Sequence, residues 1–137
     1  MTSLHWESTG TGEPVLMITG LGLSGGAWWR TVPVLSRSLR VITFDNRGVG
    51  RSRSRLHSYT TEAMADDAAS VLDAAGVERA HVYGFSLGGM VAQRQLLGDH
   101  AAEREAVHVR ALDAGSVEDR GGVVGHRLGR VTVKARA

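Results

Sequence analysis

The sequence predicts an α/β fold: a mostly parallel sheet with helices on its faces. Three observations carry that prediction. Val15-Leu16-Met17-Ile18 and Val41-Ile42-Thr43-Phe44 are short, almost unbroken apolar runs, as expected of strands covered on both sides. Between Thr60 and Gly76 apolar residues recur at helical spacing. Strand and helix signals then alternate along the chain, which implies parallel strands joined by right-handed crossovers.

The elements follow in order. Leu4 to Ser8 alternates weakly and reads as a first strand, and Thr9-Gly10-Thr11-Gly12 as a turn. After the Val15–Ile18 strand comes a glycine-rich stretch over 20–26, then a helical stretch from about Ala27 to Ser38. The Val41–Phe44 strand ends at Asp45 and leads into a polar, arginine-rich loop over 46–58. Thr60 or Thr61 can cap the next helix and Gly76 can end it. Met64, Ala68, Val71, Leu72 and Ala75 form its apolar stripe, with Asp66, Asp67 and Asp73 off it. His81-Val82-Tyr83-Gly84-Phe85 is a third buried strand; Ser86 opens a turn, and Leu87 to Leu97 reads as a helix that stops at Gly98.

Composition narrows the function classes. With 137 residues the chain is the size of one ordinary domain. The absence of cysteine excludes disulfides, thiolate metal sites and cysteine nucleophiles. Residues 1–97 hold nine Arg against eight Asp and Glu, and residues 98–137 hold seven Lys and Arg against six, so neither part is a basic arm and nucleic acid is not expected as a partner. No apolar run approaches the roughly 20 residues that span a membrane. Met1 to Trp6 has neither the charged nor the apolar region of a signal peptide, so a cytoplasmic location is the default expectation. All seven aromatics lie at or before Phe85 and both isoleucines at or before Ile42. Large side chains dominate core energetics, and the last 40 residues are further broken by Gly115, Gly121, Gly122, Gly125 and Gly129. The chain therefore divides into 1–97, with a core to build, and an atypical tail, 98–137, expected to be poorly structured.

The motif that carries chemistry is Gly84-Phe85-Ser86-Leu87-Gly88-Gly89, a G-x-S-x-G-G pattern between a strand and a helix. Such a serine must sit on a sharp, strained turn so that its hydroxyl projects above the sheet. Side chains at Gly84 and Gly88 would collide across that turn. The helix that follows aims its N-terminus at the reacting centre, and the Leu87 N–H can donate to a developing oxyanion.

With Thr19-Gly20-Leu21-Gly22 after one buried strand, Trp28 opening the next helical stretch, Asp45-Asn46-Arg47-Gly48-Val49-Gly50-Arg51-Ser52 after the next strand, and Gly84 to Gly89, residues 4–97 resemble the N-terminal half of an α/β-hydrolase fold protein. The resemblance implies that Ser86 is a nucleophile, that the Leu21 N–H joins Leu87 as an oxyanion donor, and that no cofactor or metal is needed. Thr19 stands where the family usually has histidine. The Asp45–Ser52 loop resembles a family loop that is mainly structural, which is the role expected of Asp45, Arg47 and Ser52. Arg47, Arg51, Arg53 and Arg55 otherwise read as a basic cluster on a solvated loop, and Trp28 and Trp29 as packing residues.

A serine needs a histidine to take its proton and an acid to orient that histidine. The family's chain order is serine, acid, histidine. Beyond Ser86 the histidines are His100, His108 and His126, and the acids Asp99, Glu103, Glu105, Asp113, Glu118 and Asp119. The order Asp113 or Asp119 followed by His126 is formally allowed, with His126 as base, but the tail holds no good helix between its two short strand-like runs.

Two other readings stay open beside a serine hydrolase acting on a small-molecule ester or lactone-like carbonyl through an acyl-enzyme. One is a shortened, catalytically silent relative, or a fragment whose reading frame departs from the family near Gln95; its sheet, stopping at the elbow strand, would leave an edge open to self-association. The other is a dinucleotide-binding module. Gly20-Leu21-Gly22-Leu23-Ser24-Gly25 fits G-x-G-x-x-G, and Asp45, 20 residues beyond Gly25, stands where such a module has its ribose-binding acid.

Overall fold

A computed structural model of the chain describes residues 4–53 and 58–97. His126, the other tail histidines and acids, and the whole of 98–137 lie outside the described residues. Strands β1 (Trp6–Thr9), β2 (Glu13–Ile18), β3 (Leu39–Phe44) and β4 (His81–Gly84) form one sheet in the order β1-β3-β2-β4. β2 pairs in parallel with β3, Val15 opposite Val41, and with β4, Ile18 opposite Gly84. β1 pairs antiparallel with β3, Trp6 opposite Phe44. The sheet is thus mixed, with its parallel part at β3-β2-β4.

The unbroken apolar runs behave as strands with two covered faces. Leu16, Ile18, Ile42, Phe44 and Val82 point into one core, and Val15, Met17 and Val41 into another. Helices α2 (Thr61–Ala74) and α3 (Leu87–Leu97) pack on the first face, where Met64, Ala65, Ala68, Val71, Leu72, Val91 and Ala92 are buried. The Thr60 hydroxyl caps α2 by accepting from Ala63 N–H at 3.1 Å, and Gly76 follows it at φ +67°. The stripe read from the sequence faces this core, joined by Ala65, with Ala75 only partly buried.

The second face differs from expectation. In place of one helix from Ala27 to Ser38 there is a 3₁₀ turn, Gly25–Trp28, and a single helical turn α1, Val32–Leu35, with Pro33 in its first positions. Proline cannot donate a hydrogen bond inside a helix and its ring clashes with the carbonyl four residues back, so a helix here begins beside Pro33 rather than running through it. Trp28, Val32 and Leu35 still cover Val15, Met17 and Val41. Since both β2 and β4 run toward the same end of the sheet, the loops that leave them lie side by side.

Candidate active site

Gly84 ends β4, Leu87 opens α3, and Ser86 lies between them, exposed, at φ +54°. Among the described residues it is the one non-glycine with positive φ. That conformation costs an L-residue roughly 1–2 kcal/mol. The turn is locked by Phe85 N–H to Ile18 O (3.1 Å), Gly88 N–H to Phe85 O (2.9 Å) and Gly89 N–H to Ser86 O (2.9 Å). The glycines are there for lack of space. A Cβ on Gly84 would lie 2.2 Å from Gly88 O, and one on Gly88 2.1 Å from Ile18 O. Buried Gly88 and Gly89 let α3 start directly against β2.

The turn after β2 brings Leu21 into the same neighbourhood. A Cβ on Gly20 would lie 3.4 Å from Ser86 Cβ and 3.3 Å from Phe85 Cδ1, so the chain just before Leu21 touches the serine turn. The Leu21 side chain is 82% exposed, whereas Leu87 packs on the first core. The structure therefore brings together Ser86, Leu87, the Gly84, Gly88 and Gly89 elbow and the Leu21 turn. It does not bring in His126, which is outside the described residues.

Three buried polar residues underlie the β2 turn, and the sequence reading missed their connection. Asp45 Oδ1 accepts from Gly25 N–H at 2.7 Å and Oδ2 from Arg51 N–H at 2.9 Å. Asn46 Nδ2 donates to Thr19 O (3.3 Å) and Thr19 Oγ1 (3.2 Å), and the Thr19 hydroxyl donates to Leu23 O at 2.8 Å. Burial raises the Asp45 carboxyl pKa, but the two backbone N–H donors and the nearby Arg51 guanidinium outweigh it and hold the group below its ordinary value. The parallel register was the available signal: Met17 opposite Thr43 places Thr19 level with the start of the Asp45-Asn46 pair.

This geometry removes the dinucleotide fingerprint. Both Asp45 oxygens are engaged by backbone donors, so the carboxylate has no ribose to hold, and Gly25 opens a four-residue 3₁₀ turn rather than the helix whose N-terminus would meet a pyrophosphate. Arg47 has the structural role that the resemblance implied and leaves the basic cluster. Arg47 is no solvated residue: its guanidinium makes a two-pronged ion pair with Asp67 of α2 (2.6 and 2.7 Å) and donates to Ser58 O and Ala63 O. The Asp67 carboxylate holds the Arg47 pKa above its usual value. Arg51 pairs with Glu7, Arg53 is exposed, and Arg55 is outside the described residues. Ser52 is buried and accepts from His5 N–H at 2.9 Å, the structural role expected of it.

Trp28 packs edge-on against Tyr83, ring centres 5.6 Å apart, while Trp29 is exposed beneath the Arg30 guanidinium. Trp28 also lines a cleft of about 290 Å³ with Val15, Met17, Leu35, Leu39 and Tyr83, near the amino-terminal ends of the parallel strands and away from Ser86. His81 is a strand residue paired with Glu13 at 2.7 Å. No helix among the described residues is long and apolar enough to cross a membrane.

Comparison with known proteins agrees with this architecture. A family model described as alpha/beta hydrolase fold matches residues 13–111. The putative carbamate hydrolase RutD of Azorhizobium caulinodans is 41% identical over 88 residues, which cover 64% of this chain and 33% of that protein. The crystal structure of the putative non-heme bromoperoxidase BpoC of Mycobacterium tuberculosis superimposes with a TM-score of 0.65 at 35% identity, over 72% of this chain and 37% of BpoC. A thermophilic esterase from Thermogutta terrifontis gives a TM-score of 0.65 at 38% identity, over 69% and 35% of the two chains. The chain spans about a third of the length of these relatives.

Proposed function

The chain belongs to the alpha/beta hydrolase fold family, and we propose that Ser86 is the nucleophile of a serine hydrolase acting on a small-molecule ester or lactone-like carbonyl. The observation that carries this reading is Ser86 itself, an exposed serine held at positive φ by a turn whose flanking glycines admit no side chain. Strain of this kind persists only where the surroundings impose it, and it is concentrated at functional sites. Ser86 Oγ bonds to the carbonyl carbon while its proton passes to a base. The carbonyl oxygen takes up negative charge between the N–H groups of Leu87 and Leu21. On collapse the bond to the leaving oxygen breaks, that oxygen takes the proton, and water then cleaves the acyl-enzyme to restore Ser86. By family order the base and its acid follow Ser86, which is the role assigned to His126 behind Asp113 or Asp119. No cofactor or metal enters this chemistry.

Similar structures include esterases, and similar proteins include putative carbamate hydrolases. Both are acyl transfers that a single serine, an oxyanion site and water can perform, which favours this class over haloperoxidase chemistry. The test is turnover of p-nitrophenyl esters by the 137-residue chain, together with labelling by a fluorophosphonate. Turnover and labelling that both vanish in Ser86→Ala support the reading. Labelling without turnover supports Ser86 as an activated nucleophile and overturns the ester as its substrate. No labelling of Ser86 at all overturns the proposal.

A further inference from the structure

The turn after β2 is the part of the proposed site least determined by its own residues. It contains Gly20, Gly22 and Gly25, and inside it Leu23 N–H donates to Gly20 O at 3.2 Å. Glycines leave a chain many conformations to lose, so a turn of this composition needs anchors. Both ends are held from outside by two consecutive residues past β3. Asp45 Oδ1 takes the Gly25 N–H at the far end, and Asn46 Nδ2 takes Thr19 O at the near end. Asn46 also donates to the Thr19 hydroxyl, and that hydroxyl donates onward to Leu23 O at 2.8 Å. The hydroxyl is thus acceptor and donor at once, and its bond to Leu23 O spans Leu21. Thr19 is 1% and Asn46 4% exposed, so water does not compete for the bond between their side chains.

We propose that Asn46, acting through the Thr19 hydroxyl, is the positioning residue that fixes the Leu21 N–H beside Ser86. The inference rests on the reading of Ser86 as nucleophile and Leu21 N–H as oxyanion donor. Asn46 and Thr19 touch no substrate. Their effect is to hold a donor in place before reaction, and a donor lowers a barrier only if it need not reorganise as charge develops. A side chain reaching from another strand end does the holding.

The test uses the full 137-residue chain and fluorophosphonate inactivation. In that reaction Ser86 Oγ bonds to phosphorus, fluoride departs, the hydroxyl proton goes to base or water, and the phosphoryl oxygen occupies the oxyanion position. Varying the probe concentration separates the limiting rate from half-saturation. Thr19→Val keeps the shape and removes the hydroxyl. It should lower the limiting rate about five- to tenfold, roughly one hydrogen bond's effect, with half-saturation unchanged, and Thr19→Ser should restore it. Hydrogen exchange of the Leu23 amide should accelerate in Thr19→Val and not in Thr19→Ser. Asn46→Ala also loses the bond to Thr19 O, so its effect should be at least as large as that of Thr19→Val in both measurements, and adding Thr19→Val to it should bring little more. Unchanged exchange in Thr19→Val, or faster exchange with an unchanged limiting rate, overturns the inference. A wild-type chain unlabelled at Ser86 overturns the hydrolase reading and the catalytic consequence with it. The exchange measurement needs no reactivity and tells that failure apart from failure of the anchor.

Discussion

Two turns lie side by side at the ends of adjacent parallel strands, and they are held by opposite means. The turn after β4 is shaped by missing side chains: Gly84 and Gly88 allow backbone to meet backbone, and Ser86 absorbs the strain at φ +54°. The turn after β2 is shaped by side chains that reach it from 20 to 27 residues away, Asp45 to Gly25 and Asn46 to Thr19. The first kind of specification is local and steric, and nothing elsewhere in the chain can relax it. The second is graded, because each hydrogen bond contributes its own increment and can be weakened without losing the fold.

The largest effect should come from Gly88→Ala. Its Cβ would lie 2.1 Å from Ile18 O and 2.7 Å from both Ile18 C and Thr19 O, all backbone atoms, so no side chain can rotate away. α3 would have to leave β2. A loss of more than about 3 kcal/mol is expected in a denaturant titration, at the severe end for a single substitution. Gly22→Ala is the internal control. Gly22 has φ +72° but open space around its missing Cβ, so only the conformational penalty of about 1 kcal/mol applies. Equal stability of the two variants would mean that the elbow is not packed as described.

Asp45 is the strongest anchor of the other turn. Its carboxylate accepts two backbone N–H groups and its pKa is held down. A carboxyl whose folded pKa is depressed contributes stability above its unfolded value, near 3.9, and loses it as pH falls through the folded pKa. Asp45→Asn keeps a single oxygen acceptor and no charge, so it should cost about 1.5–3 kcal/mol near neutral pH. It should also flatten the acid limb of stability against pH. Part of that limb should remain, because Glu7, held down by His5 and Arg51, and Glu62, held down by its own backbone N–H, also titrate low. Denaturant midpoints from pH 6 down to 3 would reveal both effects. A variant whose pH slope matches wild type would show that Asp45 does not carry the anchor.

The same contrast explains what could be read from the sequence. The elbow was legible because its requirements lie within six consecutive residues and each has one physical reason. The strands were legible because continuous apolar runs have few other uses, and α2 because its cap, stripe and terminating glycine agree. The anchors were not legible. Asp45 was expected in a structural role, but which backbone it would hold was hidden until the parallel pairing of β2 with β3 brought Gly25 to it. Arg47 carried the same structural expectation, and only the fold reveals its partner, Asp67 of α2. The helix expected over 27–38 fell to Pro33, a local signal outweighed by the apolar spacing around it. The tail candidates for an acid and a base, Asp113, Asp119 and His126, lie outside the described residues, where sequence order is the only guide.

The smallest predicted effect bears most directly on Ser86. If its left-handed backbone is imposed by the elbow, glycine should tolerate it better than any L-residue. Relief of roughly 1–2 kcal/mol of strain is offset by the 0.5–1 kcal/mol that glycine loses in ordering its backbone. Ser86→Gly should therefore be more stable than wild type by about 0.5–1 kcal/mol. Ser86→Ala keeps the Cβ and the strain, and because Ser86 is exposed it should stay within about 0.5 kcal/mol of wild type. Both variants should lose fluorophosphonate labelling. That order, glycine above serine and alanine in stability with serine alone reactive, would mean that the turn keeps a destabilising side chain for its hydroxyl. Equal stability of all three would mean that the elbow stores no strain at this position, and the steric account of the β4 turn would then rest on Gly84 and Gly88 alone.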